Sequence, residues 1–241
     1  MSGNAVQTGA GMDASVLIAT YEHVDYLKRT LLAFSRQTTG NFELLVCDDG
    51  SGDGVRQAVA EFIPMFGARL SHLRHEKKGF RKCAILNEGV LRSRSNYLVF
   101  IDADCIPHRR FVEEHLLCRR EGSYLVGRRA LLYGKITSEL ADERIRNGWL
   151  ESPSFFLGRG LAGGVRHLEE AVFLPKWLCV SGVPPLKGCN FSCWKSDVVR
   201  INGFNEYFVT AGGGEDDDIE RRFRLIGLSA RSVRNRAICY H

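Results

Sequence analysis

Two acidic groupings carry the clearest chemical signal in the chain. In the stretch FIDADC, Asp102 and Asp104 stand two residues apart, so on an extended backbone both carboxylates point to the same side. Such a pair offers hard oxygen ligands to one divalent cation, Mn²⁺ or Mg²⁺, with positions left over for phosphate oxygens. In AGGGEDDDIERR, Glu215, Asp216, Asp217 and Asp218 follow Gly212, Gly213 and Gly214. Neighbouring carboxylates repel one another unless a helix end, a cation or a proton transfer makes use of them. The plain reading is that they cap the helix that follows, whose dipole favours acids in its first turn. Four in succession exceed what capping needs, so a carboxylate that accepts a proton is expected among them.

Alternating elements would position these groups. SVLIAT is a short apolar run of the kind buried on both faces of a sheet, and DYLKRTLLAFSRQ places Tyr26, Leu27, Thr30, Leu31 and Phe34 at helical spacing. The pattern recurs as FELLVCDD and VRQAVAEFI, RLSHLRH and KCAILNEGVLRS, then YLVFIDAD and RRFVEEHLLCRR. Strand–helix alternation predicts an α/β fold with a mostly parallel sheet and right-handed crossovers. Ligands of such sheets bind at the carboxyl ends of the strands. Asp48 and Asp49 close the second predicted strand, and Asp102 and Asp104 close the fourth. Acids after a strand are also ordinary turn residues; two acidic strand ends on one sheet favour a site. SYLVGRRALLYG reads as one further strand. Residues 135 to 185 lack clean periodicity and are expected to form variable loops and short helices over the site, with Trp149, Phe155, Phe156 and Trp177 in local packing, or one or two of them facing a sugar ring. Residues 1 to 13 are small and polar and are expected to fray, with Met12 an alternative start.

Composition narrows the partners. The chain has 241 residues, 44% hydrophobic and 25% charged, as ordinary folded proteins do, and one domain is expected over 1–241. Lys and Arg exceed Asp and Glu by 33 to 28, which favours phosphate-bearing ligands or an anionic membrane surface. The basic residues are dispersed and no aromatic RNA-binding pattern or paired zinc-finger spacing occurs, so nucleic acid is not expected as a partner. The eight cysteines sit mostly in apolar stretches and read as reduced, buried thiols. Cys189 and Cys193 lack the spacing of a zinc site. His23, His72, His75, His108, His115 and His167 show no metal-like pairing and read as structural or surface residues. No run approaches the ~18 apolar residues of a membrane span, so a cytoplasmic protein is expected, with peripheral attachment to the inner face of the cell membrane open.

The ordered set of motifs resembles the GT-A glycosyltransferases. SVLIATYEHVDYLKRTLLAFSRQTTGNFELLVCDDGS is similar to the opening of family 2 transferases, and FRKCAILNEG, FIDADC, LKGCNFSCWKSDVVRINGF and GGGEDDDIERRFRLIG match motif types of the β-1,4-galactosyltransferase group in the same order. The resemblance covers most of 15 to 241, with 135 to 185 unsupported. It implies a GT-A (Rossmann-like) fold in which 1–134 bind the nucleotide sugar and 135–241 bind the acceptor and carry the base. It implies an inverting transfer from a UDP-sugar of galactose, N-acetylgalactosamine or N-acetylglucosamine type to a saccharide or glycolipid hydroxyl, in surface polysaccharide synthesis.

By the same resemblance, Thr20, Glu22 and Asp49 hold the uridine and ribose, and Asp102 and Asp104 meet the diphosphate through Mn²⁺ or Mg²⁺. Arg81 or Lys82 adds positive charge there; the galactosyltransferase pattern has arginine where Lys82 stands, which leaves the choice open. Asp216 is the expected base and Glu215 the second choice. Asp217 is expected on the acceptor hydroxyls, with Gly213 and Gly214 letting backbone approach it. His241, after the apolar AICY, is expected as a third metal ligand, although little chain follows it to fix its ring. A nucleotide-sugar-forming nucleotidyltransferase would show a Gly-rich basic loop after the first strand, where this chain has ATYEHVDYL. A non-catalytic nucleotide-sugar binder would lack the base.

Overall fold

The computed structural model describes residues 11–241; the expected fraying of 1 to 13 lies almost wholly outside them. Among the described residues the main sheet has seven strands in the order β10-β6-β9-β4-β1-β2-β3. Its centre is β1 (Ala14–Thr20), β2 (Phe42–Asp48) and β4 (Tyr97–Asp102), with β3 (Leu70–Arg74) at one edge. The far side is β6 (Ser123–Val126), β9 (Phe191–Trp194) and β10 (Ser229–Ser232). β9 runs antiparallel to β4 and β6, while the other pairings are parallel. The chain goes β1, β2, β3 in one direction and then returns to place β4 on the other side of β1, so strand order reverses there.

Both faces of the sheet are buried, which is why its strands are continuously apolar. Val16, Ile18, Leu44, Val46, Val99 and Ile101 face one core, closed by α1 (Val24–Phe34), α2 (Asp53–Phe66) and α4 (Phe111–Cys118). Leu17, Leu45, Cys47, Leu98 and Phe100 alternate onto the other. That core is closed by α3 (Lys82–Arg92) and, after the small helices α5 (Lys135–Glu139), α6 (Asp142–Arg146) and α7 (Pro153–Phe155), by α8 (Lys195–Arg200) and α9 (Glu215–Leu225). Where α3 crosses β1 and β2, a Cβ on Gly89 would lie 2.6 Å from the Cys47 thiol and 2.8 Å from Leu17, so only glycine permits that approach.

SYLVGRRALLYG forms two strands rather than one. Gly127 turns the chain from β6 into β7 (Arg129–Leu132), which leaves the main sheet for a second one with β5 (Ile106–Pro107), β8 (Val165–Arg166) and β11 (Cys239–Tyr240). This second sheet and the 135–171 region share a third core, containing Ile136, Leu140, Ile145, Phe155 and Tyr240. The region therefore has its own packed interior despite its irregular sequence. Trp149 packs against Phe155 in it at 4.9 Å, whereas Trp177 is 80% exposed and takes no part, contrary to its expected local packing. Among the described residues no helix is long and apolar enough to cross a membrane.

Candidate active site

The sheet register brings the acidic strand ends to one place. Thr20 pairs with Asp48 across β1 and β2, and Ala19 pairs with Asp102 across β1 and β4. A cleft of about 380 Å³ opens at this edge, lined among others by Thr20, Tyr21, Asp49, Lys82, Asp102 and Asp104. Its size is that of a small-ligand site. Thr20 Oγ1 is buried beside it without a hydrogen-bond partner among the described residues; such a group is costly unless something fills the cleft and bonds it.

β4 ends at Asp102, and Ala103 and Asp104 form a turn. The two carboxylates reach one cleft through that turn, so strand alternation was the wrong reason for their meeting.

The segment after β3 folds back over Asp49. This carboxylate accepts from the Arg81 backbone N–H at 2.9 Å and lies 2.7 Å from His75 Nε2 and 3.4 Å from Lys77 Nζ. Lys77 Nζ also lies 3.5 Å over the Tyr21 ring, a cation–π contact that fixes an aromatic face at the cleft mouth. Gly50, at φ 82°, lies so close to the Lys77 backbone that a Cβ there would come within 2.7 Å of it.

Glu22 does not line the cleft. Its backbone N–H donates to Ser51 Oγ at 2.7 Å and its Oε1 accepts from the Gly52 N–H at 3.1 Å. With φ of 56° it sits in a conformation that costs a non-glycine residue energy, held by these two bonds, and it braces the loop that carries Asp49. Arg81 is corrected as well: its guanidinium donates to the Glu76 carbonyl at 2.9 Å, away from the cleft, and only its backbone contributes.

Lys82 is the cation in the cleft. Its Nζ donates to Asp102 Oδ1 at 2.7 Å. Burial acts to lower its pKa, but the charges of Asp102, Asp216 and Glu215 outweigh that and hold it well above the ordinary value. For Asp102 the balance falls the other way: burial raises its pKa more than Lys82 lowers it. Asp216, in the first turn of α9, lies within electrostatic reach of the same lysine. Its Oδ2 accepts from the Gly188 N–H at 2.9 Å, and burial keeps its pKa above the usual aspartate value against the pull of Gly188 and Lys82. A Cβ on Gly188 would lie 2.7 Å from Asp216 Oδ1, so this loop and the carboxylate fit only because residue 188 is glycine.

The four acids occupy the start of α9 behind Gly214, whose φ of 99° only glycine adopts readily. The four acids make up the first turn, where the helix dipole favours them, but no side chain caps the helix by a hydrogen bond; Asp218 pairs instead with Arg222 along the helix. Asp217 is exposed, as are Gly212 and Gly213. Gly213 packs on the Thr210 carbonyl, and together the glycines turn the chain into the helix.

His241 Nε2 lies 3.1 Å from Asp104 Oδ2. Burial tends to raise the Asp104 pKa, but the hydrogen bond and charge of His241 lower it overall. The ring is fixed by what precedes it: the His241 N–H donates to the Ala130 carbonyl at 2.8 Å and its carbonyl accepts from the Leu132 N–H at 2.7 Å. Two carboxylates and an imidazole suit Mn²⁺ better than a harder ion. Among the described residues no three acidic, histidine or cysteine side chains are assembled as a ligand cluster, since Asp102 is held by Lys82. The fit lies in the donor types: Asp102 and Asp104 share the cleft, and His241 stands beside it against Asp104.

Sequence reasoning read His75 as a structural or surface residue and passed over Lys77 and Gly188. Gly188 stood within the quoted LKGCNF motif, but its service to a carboxylate on α9, 28 residues on, leaves no local signal.

Comparison with known proteins agrees with this geometry. Residues 15–159 match the family model described as glycosyl transferase family 2. The chain belongs to this family. Residues 168–241 match a second model, the N-terminal domain of galactosyltransferase, which covers the loop and helix that hold Asp216. Chondroitin synthase of Escherichia coli is 27% identical over 240 residues, covering 94% of this chain and 34% of that protein. The crystal structure of S. aureus TarS 1–349 in complex with UDP-GlcNAc superposes with a TM-score of 0.66 at 15% identity, covering 95% of this chain and 58% of that one. The mannosyltransferase PcManGT from Pyrobaculum calidifontis, in complex with GDP-Man and Mn²⁺, superposes at 0.62 and 17% identity, covering 96% and 59%. The fold is thus the GT-A fold. The chain spans about a third of the chondroitin synthase and less than two thirds of either solved chain. Family membership favours the transferase reading over the nucleotidyltransferase one.

Proposed function

We propose that the chain transfers a hexose or N-acetylhexosamine, of galactose, N-acetylgalactosamine or N-acetylglucosamine type, from a UDP-sugar to a saccharide or glycolipid hydroxyl with inversion, in surface polysaccharide synthesis. We assign it to the cytoplasm, peripheral to the inner membrane face, and assign 1–134 to the donor and 135–241 to the acceptor and base. The observation that carries the reading is the half-buried Asp216 carboxylate, anchored on Gly188 and within electrostatic reach of Lys82, which holds Asp102.

Thr20 and Asp49 bind uridine and ribose, with Glu22 holding their loop. The acceptor hydroxyl gives its proton to Asp216 while its oxygen forms a bond to the anomeric carbon. The bond from that carbon to the diphosphate oxygen breaks, and UDP departs with the electron pair. Lys82 neutralises charge on the departing diphosphate, Asp217 orients acceptor hydroxyls, and Glu215 keeps the local charge negative around the proton. Asp102, Asp104 and His241 would hold Mn²⁺ or Mg²⁺, which when bound supplies Lewis-acid stabilisation of the leaving group. Solved GT-A neighbours bound to UDP-GlcNAc and to Mn²⁺ support the donor class.

The test follows UDP release from a panel of UDP-sugars with Mn²⁺, Mg²⁺ or EDTA. Metal-dependent release from one or two sugars is expected, and His241→Ala should raise the Mn²⁺ concentration needed for half-maximal rate. Release that ignores EDTA, with UDP binding equally indifferent, would remove the metal from the reading.

The pH profile is a second check. A base works only when unprotonated, so the rate falls as pH drops through the Asp216 pKa, which burial places above the usual 3.8. Lys82 lowers that pKa, so Lys82→Gln should move the acid limb to higher pH, whatever it does to the plateau. A limb that stays put or moves down would separate Lys82 from the base.

A further inference from the structure

A second cleft, of about 490 Å³, shares no lining residue with the first. It lies between the turn into β7 and the loop before β9, lined by Arg128, Arg129, Lys187 and Arg234 with Glu169 and Glu170 among the rest. Glu170 is 5% exposed and ion-paired with Arg234, so those two charges cancel. Glu169 pairs with His167, which also lines the cleft. Arg128, Arg129 and Lys187 have no side-chain hydrogen bond or ion pair among the described residues. Four basic side chains against two carboxylates, Glu169 and Glu170, therefore line one concavity and leave it with an excess of positive charge. Their mutual repulsion is relieved by an anion, and paired guanidiniums suit the planar, two-oxygen geometry of carboxylate or the oxygens of phosphate.

The position of this cleft ties it to the reaction. Lys187 adjoins Gly188, whose N–H holds Asp216. Arg129 stands opposite Cys239 in the β7–β11 register, two residues from His241, and is within electrostatic reach of Asp104 and Asp102. The Arg128 backbone is fixed by Asn190, whose Nδ2 donates to its carbonyl at 2.8 Å. The cleft thus borders the loop that anchors the proposed base.

We propose that this cleft binds an anionic group of the acceptor, a uronate carboxylate or a phosphate, and so selects acidic saccharides over neutral ones. The inference rests on the transferase reading above and adds the acceptor class to it. A charged outer face of a basic protein would be convex and solvated; here four basic side chains converge on a concavity that holds two carboxylates, one of them already paired with Arg234.

The test uses the full chain with UDP and Mn²⁺ and three probes: p-nitrophenyl β-D-glucuronide, p-nitrophenyl β-D-glucoside and glucose 6-phosphate. Binding is read by calorimetry or saturation-transfer NMR, independently of turnover. One acidic probe should bind about tenfold or more tighter than the glucoside, as expected for a charge-assisted contact, and which one does so tells carboxylate from phosphate. Arg128→Gln and the exposed Lys187→Glu should each reduce that preference about tenfold with UDP affinity unchanged. Lys187 lies on the surface, so its variant reports even if Arg128→Gln folds poorly. Equal binding of all three probes, or no binding of either acidic one, overturns the proposal. A parallel loss of UDP affinity also overturns it, because the cations would then serve the diphosphate. Should UDP fail to bind while an acidic probe still binds in a Lys187-sensitive way, the donor reading fails and the anionic cleft stands.

Discussion

Asp216→Asn is expected to bind UDP in Mn²⁺ as the parent does and to transfer sugar at least ~10³-fold more slowly, the upper range for loss of a general base. The substitution is nearly isosteric, and an asparagine Oδ1 still accepts the Gly188 N–H that Asp216 accepts at 2.9 Å. The loop before β9 therefore keeps its anchor, and what disappears is the ability to take a proton. The charge facing Lys82 disappears too, yet Lys82 retains Asp102 at 2.7 Å. Donor affinity measured by calorimetry and transfer measured in single turnover separate the two effects. Transfer within about tenfold of the parent, far short of the loss expected for a base, would reject Asp216 and direct attention to Glu215 in the same turn.

Asn190→Ala is expected to cost about 3–5 kcal/mol of stability, the scale for opening a buried polar network together with a cavity. Asn190 is fully buried. Its Nδ2 donates to the Arg128 and Ala237 carbonyls, both at 2.8 Å, and its Oδ1 lies 3.1 Å from His115 Nε2. Burial pushes the His115 pKa down to about 3, so the ring is neutral and carries one proton. The amide assigns that proton to Nε2; Nδ1 then accepts from Ser192 Oγ at 2.8 Å, which accepts from the Tyr97 hydroxyl at 2.7 Å. One proton arrangement satisfies the whole chain of bonds. Alanine strands two carbonyls and the imidazole N–H at once. Guanidinium unfolding with an unchanged slope should show the loss, and a loss below about 1 kcal/mol would mean that water or a shifted side chain replaces the amide. His115 also gives the parent an acid sensitivity. Its folded pKa lies below the 6.5 of the free group, so the unfolded chain binds more protons between 6.5 and about 3, and stability falls as pH drops through that window.

The parts of this molecule that a sequence displays are those governed by local rules. SVLIAT, FELLVCD and YLVFID announce buried strands because both their faces are covered, and the acids that follow them reach one edge because strand order reverses between β1 and β4. Tyr26 was counted on the buried stripe of α1 but is 39% exposed, since Leu27, Leu31 and Phe34 suffice to seat the helix. Other features were silent. Nothing near Arg81 or Lys82 says which side chain enters the cleft; the answer depends on Arg81 sitting just before α3 and turning to the Glu76 carbonyl. Glu22 looked like a ligand group and serves a loop, because its use is decided by Gly52, 30 residues away. The 135–171 region gave no periodicity because its short turns of helix pack on β7, β8 and β11 from several directions, and no single repeat survives such an arrangement.

The strand order has a consequence for how the protein behaves when crowded. Its outer strands are β3, LSHLR, and β10, SARS. Both are short, polar and carry arginine, a combination that discourages a second sheet from adding on. The strands with the strongest tendency to self-associate, β1, β2 and β4, are fully enclosed once the sheet is complete. Aggregation is therefore a hazard of the half-formed chain, before β3 and the β6–β9–β10 side have closed over the apolar centre. Yields of soluble protein should accordingly follow folding speed, temperature and chaperone supply more than any property of the finished surface.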